Sequence, residues 1–136
     1  MPSIWYPANS ATSSNVAKGA IGITIDGGGS TITTGEMGYI SIPYDGTITK
    51  WRLVADQSGD IVVDVWKDTY GNFPPTISDS IAGSDLPTLS GAQKAESTSL
   101  TGWVTNIQAG DVIGFTINSV STVTRVHLIL EVAKTQ

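Results

Sequence analysis

Hydrophobic and polar positions alternate with a period of two along much of this 136-residue chain. The alternation is clearest in three segments, 20–25, 112–118 and 122–132. Their apolar positions, which share one face of each segment, are Ile21, Ile23 and Ile25; Ile113, Phe115 and Ile117; and Val126, Leu128, Leu130 and Val132. This period is typical of β-strands with one face in a core.

Other segments predict further strands at 38–43, 47–55 and 60–67, with shorter ones at 31–34, 97–101 and 103–106. Turn residues separate them: Asp45-Gly46 predicts a two-residue hairpin, and Asp56-Gln57-Ser58-Gly59 predicts a turn between the next two strands. Turns recur every eight to twelve residues, a spacing typical of sandwiches and barrels. We therefore expect an all-β fold, an antiparallel β-sandwich of jelly-roll or Greek-key type with about eight strands.

Two stretches depart from this rhythm. Residues 68–96 contain Pro74, Pro75 and Pro87 and predict a long connection between sheets, with one helical turn at 77–81. Residues 1–19 join an aromatic cluster to a polar tract and predict an N-terminal arm ahead of a domain at 20–136. The candidate assembly contacts of that arm are Ile4, Trp5 and Tyr6; an edge strand or a tucked terminus is the alternative.

The composition of the chain excludes several structural and functional classes. Charged residues make up only 14% of the chain, while 15 Ser and 17 Thr supply polarity, so long charged helices and coiled coils are excluded. The net charge is −5 and the seven basic residues are scattered in sequence, which argues against nucleic-acid binding. There is no cysteine and no apolar run long enough to cross a membrane. Because the first residues include neither a basic segment nor an apolar stretch, we do not expect them to act as a secretory signal.

Few residues of this chain are suited to catalysis or metal binding. The one histidine, His127, lies on the polar side of a predicted strand, where a surface or interface role is the simpler interpretation. The run Asp26-Gly27-Gly28-Gly29-Ser30 lacks the lysine of a phosphate loop and the alternating oxygen ligands of a calcium loop, so it predicts a turn. We expect no enzymatic activity, no cofactor and no bound metal.

A sugar site is the remaining candidate. Trp66, Asp68 and Tyr70 combine aromatic rings with a carboxylate, which is the chemistry that binds pyranoses, and Asp64 lies beside them. The alternative assigns Trp66 to packing and Asp68 to a turn. Trp51 is expected in the core, and Trp103 at one end of the sandwich or in an interface.

Several segments, in order, carry a resemblance to a known domain. They are Ile25–Ser30, Ile32–Gly35, Gly38–Ile40, Ala55–Gly59, Ile61–Asp68, Phe73–Thr76, Ser97–Trp103, Ala109–Val112 and Ser121–Val126. Over about residues 20–133 the chain resembles a domain of tailed-bacteriophage virion proteins, often found at the end of tail-fibre or other minor structural proteins. In that family the domain commonly ends a longer chain, whereas here only the segment 1–19 precedes it.

The resemblance implies a β-sandwich virion component without enzymatic activity. A free-standing copy would be a capsid decoration protein or a small appendage of the tail or a vertex. We expect it to associate with copies of itself, as a trimer, and with other virion proteins, after assembly in the host cytoplasm and release by lysis. The alternative is a carbohydrate-binding receptor-recognition module of a tail fibre, which would bind host-surface glycans.

Overall fold

The computed structural model describes residues 17–135, which form seven β-strands and two 3₁₀ turns. The strands are β1 (Lys18–Asp26), β2 (Gly35–Ser41), β3 (Gly46–Thr69), β4 (Thr88–Ser97), β5 (Asn106–Ile107), β6 (Asp111–Ser121) and β7 (Arg125–Lys134). The turns are Tyr70–Asn72 and Ile77–Asp79. The all-β antiparallel class is confirmed. Across residues 17–135, no helix has the length and apolar character needed to span a bilayer.

All seven strands belong to one open, strongly curled sheet with the shape of a half-barrel. The strand order is β1-β7-β3-β6-β2, and β4 and β5 also pair with β3. The 24-residue strand β3 pairs with β7 over residues 46–55 and with β6 over residues 60–69. We therefore divide the sheet into a first half, containing β1, β7 and residues 46–55 of β3, and a second half, containing β2, β6 and residues 60–69 of β3.

The core lies inside the curl, between the two halves. Leu53 and Leu128 from the first half and Val65 and Phe115 from the second half are at most 1% exposed and belong to the same cluster. The predicted inward faces of 20–25, 112–118 and 122–132 are confirmed, except that Ile23 is only partly buried. Burial of this apolar surface is the main contribution that keeps the sheet curled around its core.

Two tryptophans close one end of the core. Trp51 is 5% exposed, as predicted, and Trp103 is 9% exposed. Both indole N–H groups donate to the carbonyl oxygen of Asp85, at 3.1 Å from Trp51 and 2.9 Å from Trp103. Shared acceptance by one carbonyl satisfies both buried donors.

The predicted turn at Asp56–Gly59 is wrong, because 47–55 and 60–67 are parts of the one strand β3. The chain bends there instead of reversing, and the bend packs on residues 121–124. The Asp56 carboxylate accepts hydrogen bonds from the Thr124 hydroxyl and from the Arg125 amide. A Cβ on Gly59 would lie 2.7 Å from the Ser121 carbonyl oxygen, so only glycine permits this approach.

The predicted Asp45-Gly46 hairpin is also wrong, because β2 pairs with β6 and not with β3. The chain crosses here from the second half of the sheet to the first. Asp45 accepts a hydrogen bond from the Ala109 amide at 2.8 Å, and Gly46 pairs with both Ile107 and Lys134. Long-range pairing thus uses the residues that local turn chemistry assigned to a hairpin.

The region 68–96 is part connection and part strand. Residues 70–87 form the connection and include the predicted helical turn, which is the 3₁₀ turn Ile77–Asp79 with a Thr76–Asp79 capping box. Residues 88–97 form β4, which the prediction missed. No strand forms at 31–34, 97–101 contributes only the last residue of β4, and 103–106 contributes only the start of β5.

Candidate interaction surfaces

The three predicted sugar-binding residues follow one another at the end of β3. Trp66 is only 8% exposed, and its indole N–H donates to Asp64 Oδ2 at 3.0 Å. Asp68 Oδ1 accepts hydrogen bonds from the Thr69 amide at 2.8 Å and from Asn72 Nδ2 at 3.3 Å. Tyr70 is 77% exposed. The end of β3 and the following turn keep the three close together, with Trp66 buried on the outer side of the sheet and Tyr70 facing solvent.

The buried carboxylate beside them, Asp64, anchors the 70–87 connection to the outer side of the sheet. In addition to the Trp66 indole, it accepts hydrogen bonds from the Val65 amide at 2.8 Å and the Ser80 hydroxyl at 2.6 Å. Backbone bridging between Trp66 and Ser80 reinforces the attachment. Three donors to one buried carboxylate are what its burial requires. Asp64 thus holds the 70–87 connection, hereafter the cover, on the outer side of the second half.

An exposed aromatic pair lies nearby on the second half. The Tyr39 and Phe73 rings meet edge to face, with centroids 4.8 Å apart, and are 39% and 47% exposed. The Tyr39 hydroxyl donates to Glu36 Oε1 at 3.0 Å. Partial desolvation and this hydrogen bond raise the pKa of Tyr39. Sequence reasoning missed the pair, because residues 39 and 73 meet only where the connection passes over β6.

The outer face of the first half is exposed and rich in charge. One cross-strand row consists of Thr24, His127, Val54 and Lys94, and the next of Gly22, Ile129, Arg52 and Glu96. Val54 is 44% exposed at the centre of three shallow depressions. Five of the seven basic residues, scattered in sequence, lie on this face: Lys18, Lys50, Arg52, Lys94 and Arg125.

Acidic residues are interspersed among these cations. Arg52 Nη2 lies 2.7 Å and Arg52 Nε 2.8 Å from Glu96 Oε1, and Lys50 Nζ lies 3.8 Å from it. These cations, Arg52 above all, lower the pKa of Glu96. Asp26 Oδ2 lies 3.9 Å from Arg125 Nη1. The face therefore carries both signs of charge and differs from the uniformly positive surfaces that bind nucleic acids.

His127 lies on this face, on the polar side of β7 as predicted. Its Nδ1 is 3.0 Å from the Thr24 hydroxyl on the neighbouring strand. Its cross-strand neighbours are Thr24 and Val54, so within the described chain no carboxylate is paired with it in register. The contact with Thr24 is a surface hydrogen bond between adjacent strands.

The open sheet leaves strand edges without partners. Among residues 17–135, strands β1, β2, β4 and β5 each pair along one side only. The register of β1 with β7 runs unbroken over nine residues, whereas β2 contains a bulge between Glu36 and Gly38. β4 contains two register shifts and Gly91 with φ +57°. Free edges of this kind are templates for pairing with another chain.

The candidate assembly contacts of the predicted arm, Ile4, Trp5 and Tyr6, lie outside the described residues. Within residues 17–135, no three His, Asp or Glu side chains come close enough together to hold a metal ion.

Comparison of the chain with protein-family models and with curated protein sequences gives no match. Among solved structures, one titled "Structure of infectious bursal disease virus Gx strain" aligns over 89% of this chain and 35% of its own, with 15% identity and a TM-score of 0.24. This chain thus spans about a third of the length of that one.

Proposed function

We propose that this chain is a non-enzymatic structural protein of a tailed-bacteriophage virion that associates with copies of itself and with other virion proteins. The observation that carries the proposal is the open sheet, whose strand edges, unpaired within residues 17–135, offer backbone donors and acceptors to another chain. The resemblance of residues 20–133 to phage virion domains supplies the setting. Within the virion, the chain would decorate the capsid or form a small appendage of the tail or a vertex.

The architecture supports an assembly role. β3 runs through both halves of the sheet, so a load on one half is transmitted through continuous backbone to the other. We propose that the two halves of the curled sheet correspond to the two layers of the jelly-roll or Greek-key sandwich expected from the sequence, with β3 shared between them. Its stability rests on one apolar core without cysteine, so it does not depend on the redox state of the surroundings.

Quantitative mass spectrometry of purified particles tests the virion assignment. We expect the chain in the particle at a fixed copy number, with hundreds of copies for a decoration protein and a handful for an appendage. Sedimentation velocity of the full chain tests self-association separately. A chain missing from particles would overturn the virion assignment, and a monomer at 100 µM (about a hundredfold above a typical micromolar Kd) would overturn self-association.

A second candidate, glycan binding by a receptor-recognition module, is favoured by the exposed aromatic groups of the second half. Tyr70, Phe73 and Tyr39 present ring surface to solvent, and the carboxylates of Asp68 and Glu36 lie beside them. Rings and carboxylates together can stack on a pyranose and accept its hydroxyl donors.

A glycan array with wild type and Tyr70→Ala tests this candidate. We expect Tyr70→Ala to lose at least tenfold in affinity. Ile77→Ala is the matched control, because Ile77 is a 74% exposed apolar residue of the same connection without a ring. Absence of binding at millimolar glycan would eliminate the candidate, and equal losses in both variants would point to a general apolar contact.

A further inference from the structure

The hydrogen-bonding direction of each residue in β1 follows from two bonds at the ends of its pairing with β7. The Gly27 amide donates to the Thr124 carbonyl at 2.8 Å, and the Lys134 amide donates to the Ala17 carbonyl at 2.8 Å. In an antiparallel pair, residues alternate between bonding toward the partner strand and bonding away from it. The odd-numbered residues of β1 therefore bond to β7. The even-numbered residues, 18 to 26, direct their N–H and C=O groups toward the open edge.

Among residues 17–135, nothing at this edge corresponds to the features that usually protect an exposed strand. β1 contains no proline and no bulge, and its only charged residues, Lys18 and Asp26, lie at its two ends. The other longer edges are interrupted, β2 by its bulge and β4 by Gly91 and two register shifts. A long, regular and centrally neutral edge invites strand pairing.

The edge is also complementary to itself. If two copies of β1 pair antiparallel about Gly22, the whole strand is used and Ala20 lies opposite Thr24 of the second copy. In the same register, Lys18 at one end lies opposite Asp26 of the second copy, and this occurs twice because the pairing is two-fold. Opposite charges at directly paired positions stabilise an antiparallel ladder.

We propose that two copies of this chain associate by antiparallel pairing of their β1 strands, centred on Gly22, with Lys18 of each copy opposite Asp26 of the other. This proposal deepens the proposed self-association and rests on it. The even residues then form about ten backbone hydrogen bonds between the copies. The first halves of the two sheets become one continuous sheet.

Side-chain burial agrees with this partner. Ile23 is only partly buried, while Ile21 and Ile25 on the same face of β1 are at most 4% exposed. In the proposed register Ile23 lies opposite Ile21 of the second copy, so pairing covers its apolar surface. The trimer expected from the sequence would instead need β1 to pair with a different edge, such as the bulged β2.

Ala20→Pro tests the location of the interface in the full chain. Ala20 is exposed and its N–H points to the open edge, so proline removes a donor of the proposed interface without removing a bond to β7. We expect the wild type and the matched control Ala20→Val to sediment as dimers and Ala20→Pro as a monomer with an unchanged circular dichroism spectrum. A dimeric Ala20→Pro would overturn the β1 interface while leaving self-association intact, and a trimeric wild type would overturn the two-fold pairing.

A charge swap tests the register. Lys18→Asp and Asp26→Lys each place like charges opposite one another twice per dimer, and we expect each to weaken dimerisation about tenfold. The double variant Lys18→Asp/Asp26→Lys restores opposite charges and is expected to recover most of the wild-type affinity. Lys94→Asp, which reverses a charge on β4, is the control and should leave the affinity within about twofold of wild type. A double variant weaker than both single variants would exclude this register.

Discussion

The outer faces of the two halves of the sheet differ in what covers them. On the first half, β7 alternates strictly, with Val126, Leu128 and Leu130 inside and His127 and Ile129 outside, partly exposed. On the second half, every residue of β6 from Asp111 to Ile117 is buried, on both sides of the strand. The 70–87 connection crosses that outer face, bonded to Asp64 and packed over Gly114 through Pro75. The first half thus presents its surface to solvent or partners, and the second half has a second packed layer.

The difference shows what a period of two does and does not reveal. Alternation identifies the inward side of a strand, but whether the other side meets water depends on a distant part of the chain. On β6 the outward positions include Val112, Gly114 and Thr116, which carry no charge, whereas on β7 they include Arg125 and Glu131. Absence of charge on the outward positions is therefore a usable signal of a covered face.

The largest expected effect comes from Asp64→Ala, which removes the anchor of the cover. It leaves three donors without their acceptor, those of Val65, Trp66 and Ser80. Each buried unsatisfied donor costs about 1–3 kcal/mol, so we expect a loss of about 3–5 kcal/mol in the free energy of unfolding. Urea denaturation followed by tryptophan fluorescence measures it.

Ser80→Ala is the control for this variant, because it removes a single donor and leaves the carboxylate bonded to the other two. We expect a loss of about 1 kcal/mol. If Asp64→Ala cost no more than Ser80→Ala, the carboxylate would not be the anchor and the covered face would be held by apolar packing alone.

Glycines on the two faces give the next contrast. A Cβ on Gly114 would lie 3.2 Å from the Tyr39 ring and 3.4 Å from Pro75, so Gly114→Val should push the cover away and cost about 2–3 kcal/mol. A Cβ on Gly22 would lie 3.2 Å from the partly exposed His127 ring, which can give way by exchanging its hydrogen bond to the Thr24 hydroxyl for one to water, and 3.4 Å from the Leu128 carbonyl oxygen. We expect Gly22→Val to change the free energy of unfolding by less than about 0.5 kcal/mol. Equal costs in urea denaturation would refute the distinction between the faces.

The sequence predicts the parts of this fold that depend on local patterns. The inward faces of β1, β6 and β7, the turn at 77–79 and the solvent side of His127 all follow from short-range alternation or turn chemistry. The bend at Asp56–Gly59 and the crossing at Asp45-Gly46 do not, because residues 106–134 supply their bonding partners.

The candidate surfaces, too, differ in whether they could be predicted from local sequence. Sequence reasoning placed Trp66, Asp68 and Tyr70 together because they lie within five residues of one another in the chain. It did not find the Tyr39–Phe73 pair or the gathering of five basic residues on the first half, since both require strands that are distant in sequence to lie side by side. The open edge of β1 depends on the complete strand order and is equally invisible in the sequence.

Thr116→Val is expected to stabilise the protein. The Thr116 hydroxyl is buried on the outer side of β6 and has no hydrogen-bond partner in the part of the chain that the structure describes. Valine has nearly the same shape and removes the unsatisfied group, so we expect a gain of about 1 kcal/mol by urea denaturation. Thr24→Val, on the exposed face, should lie within about 0.5 kcal/mol of wild type. Destabilisation by Thr116→Val would mean that the hydroxyl has a partner in the folded protein.

Acid should reduce the stability that two carboxylates of the first half contribute to the fold. The Thr124 hydroxyl lowers the pKa of Asp56, and Arg52 lowers the pKa of Glu96. Because both carboxyls bind protons less readily in the folded state, their contribution is complete above the ordinary values of 3.8 and 4.5 and is lost as pH falls through the lowered ones. We expect Tm to decline as pH falls through this range. The Tm of Thr124→Val should decline less steeply than that of wild type, because the substitution removes the main cause of the lowered pKa of Asp56. An identical slope in both would exclude Asp56 as a contributor.

Alkali should act on the second half, with the smallest effect of the series. The pKa of Tyr39 is raised above its ordinary value of 10.0 by desolvation and by its bond to Glu36. The unfolded chain therefore loses this proton first, and stability falls as pH rises from 10.0 through the raised value. Tyr39→Phe keeps the ring contact with Phe73 and removes the titrating hydroxyl, so its Tm should decline less between pH 9 and 11 than that of wild type. Tyr70→Phe, altered at a 77% exposed ring, is the control and should follow the wild-type curve. If both variants flatten the curve equally, the alkaline loss belongs to tyrosine ionisation in general and not to the covered face.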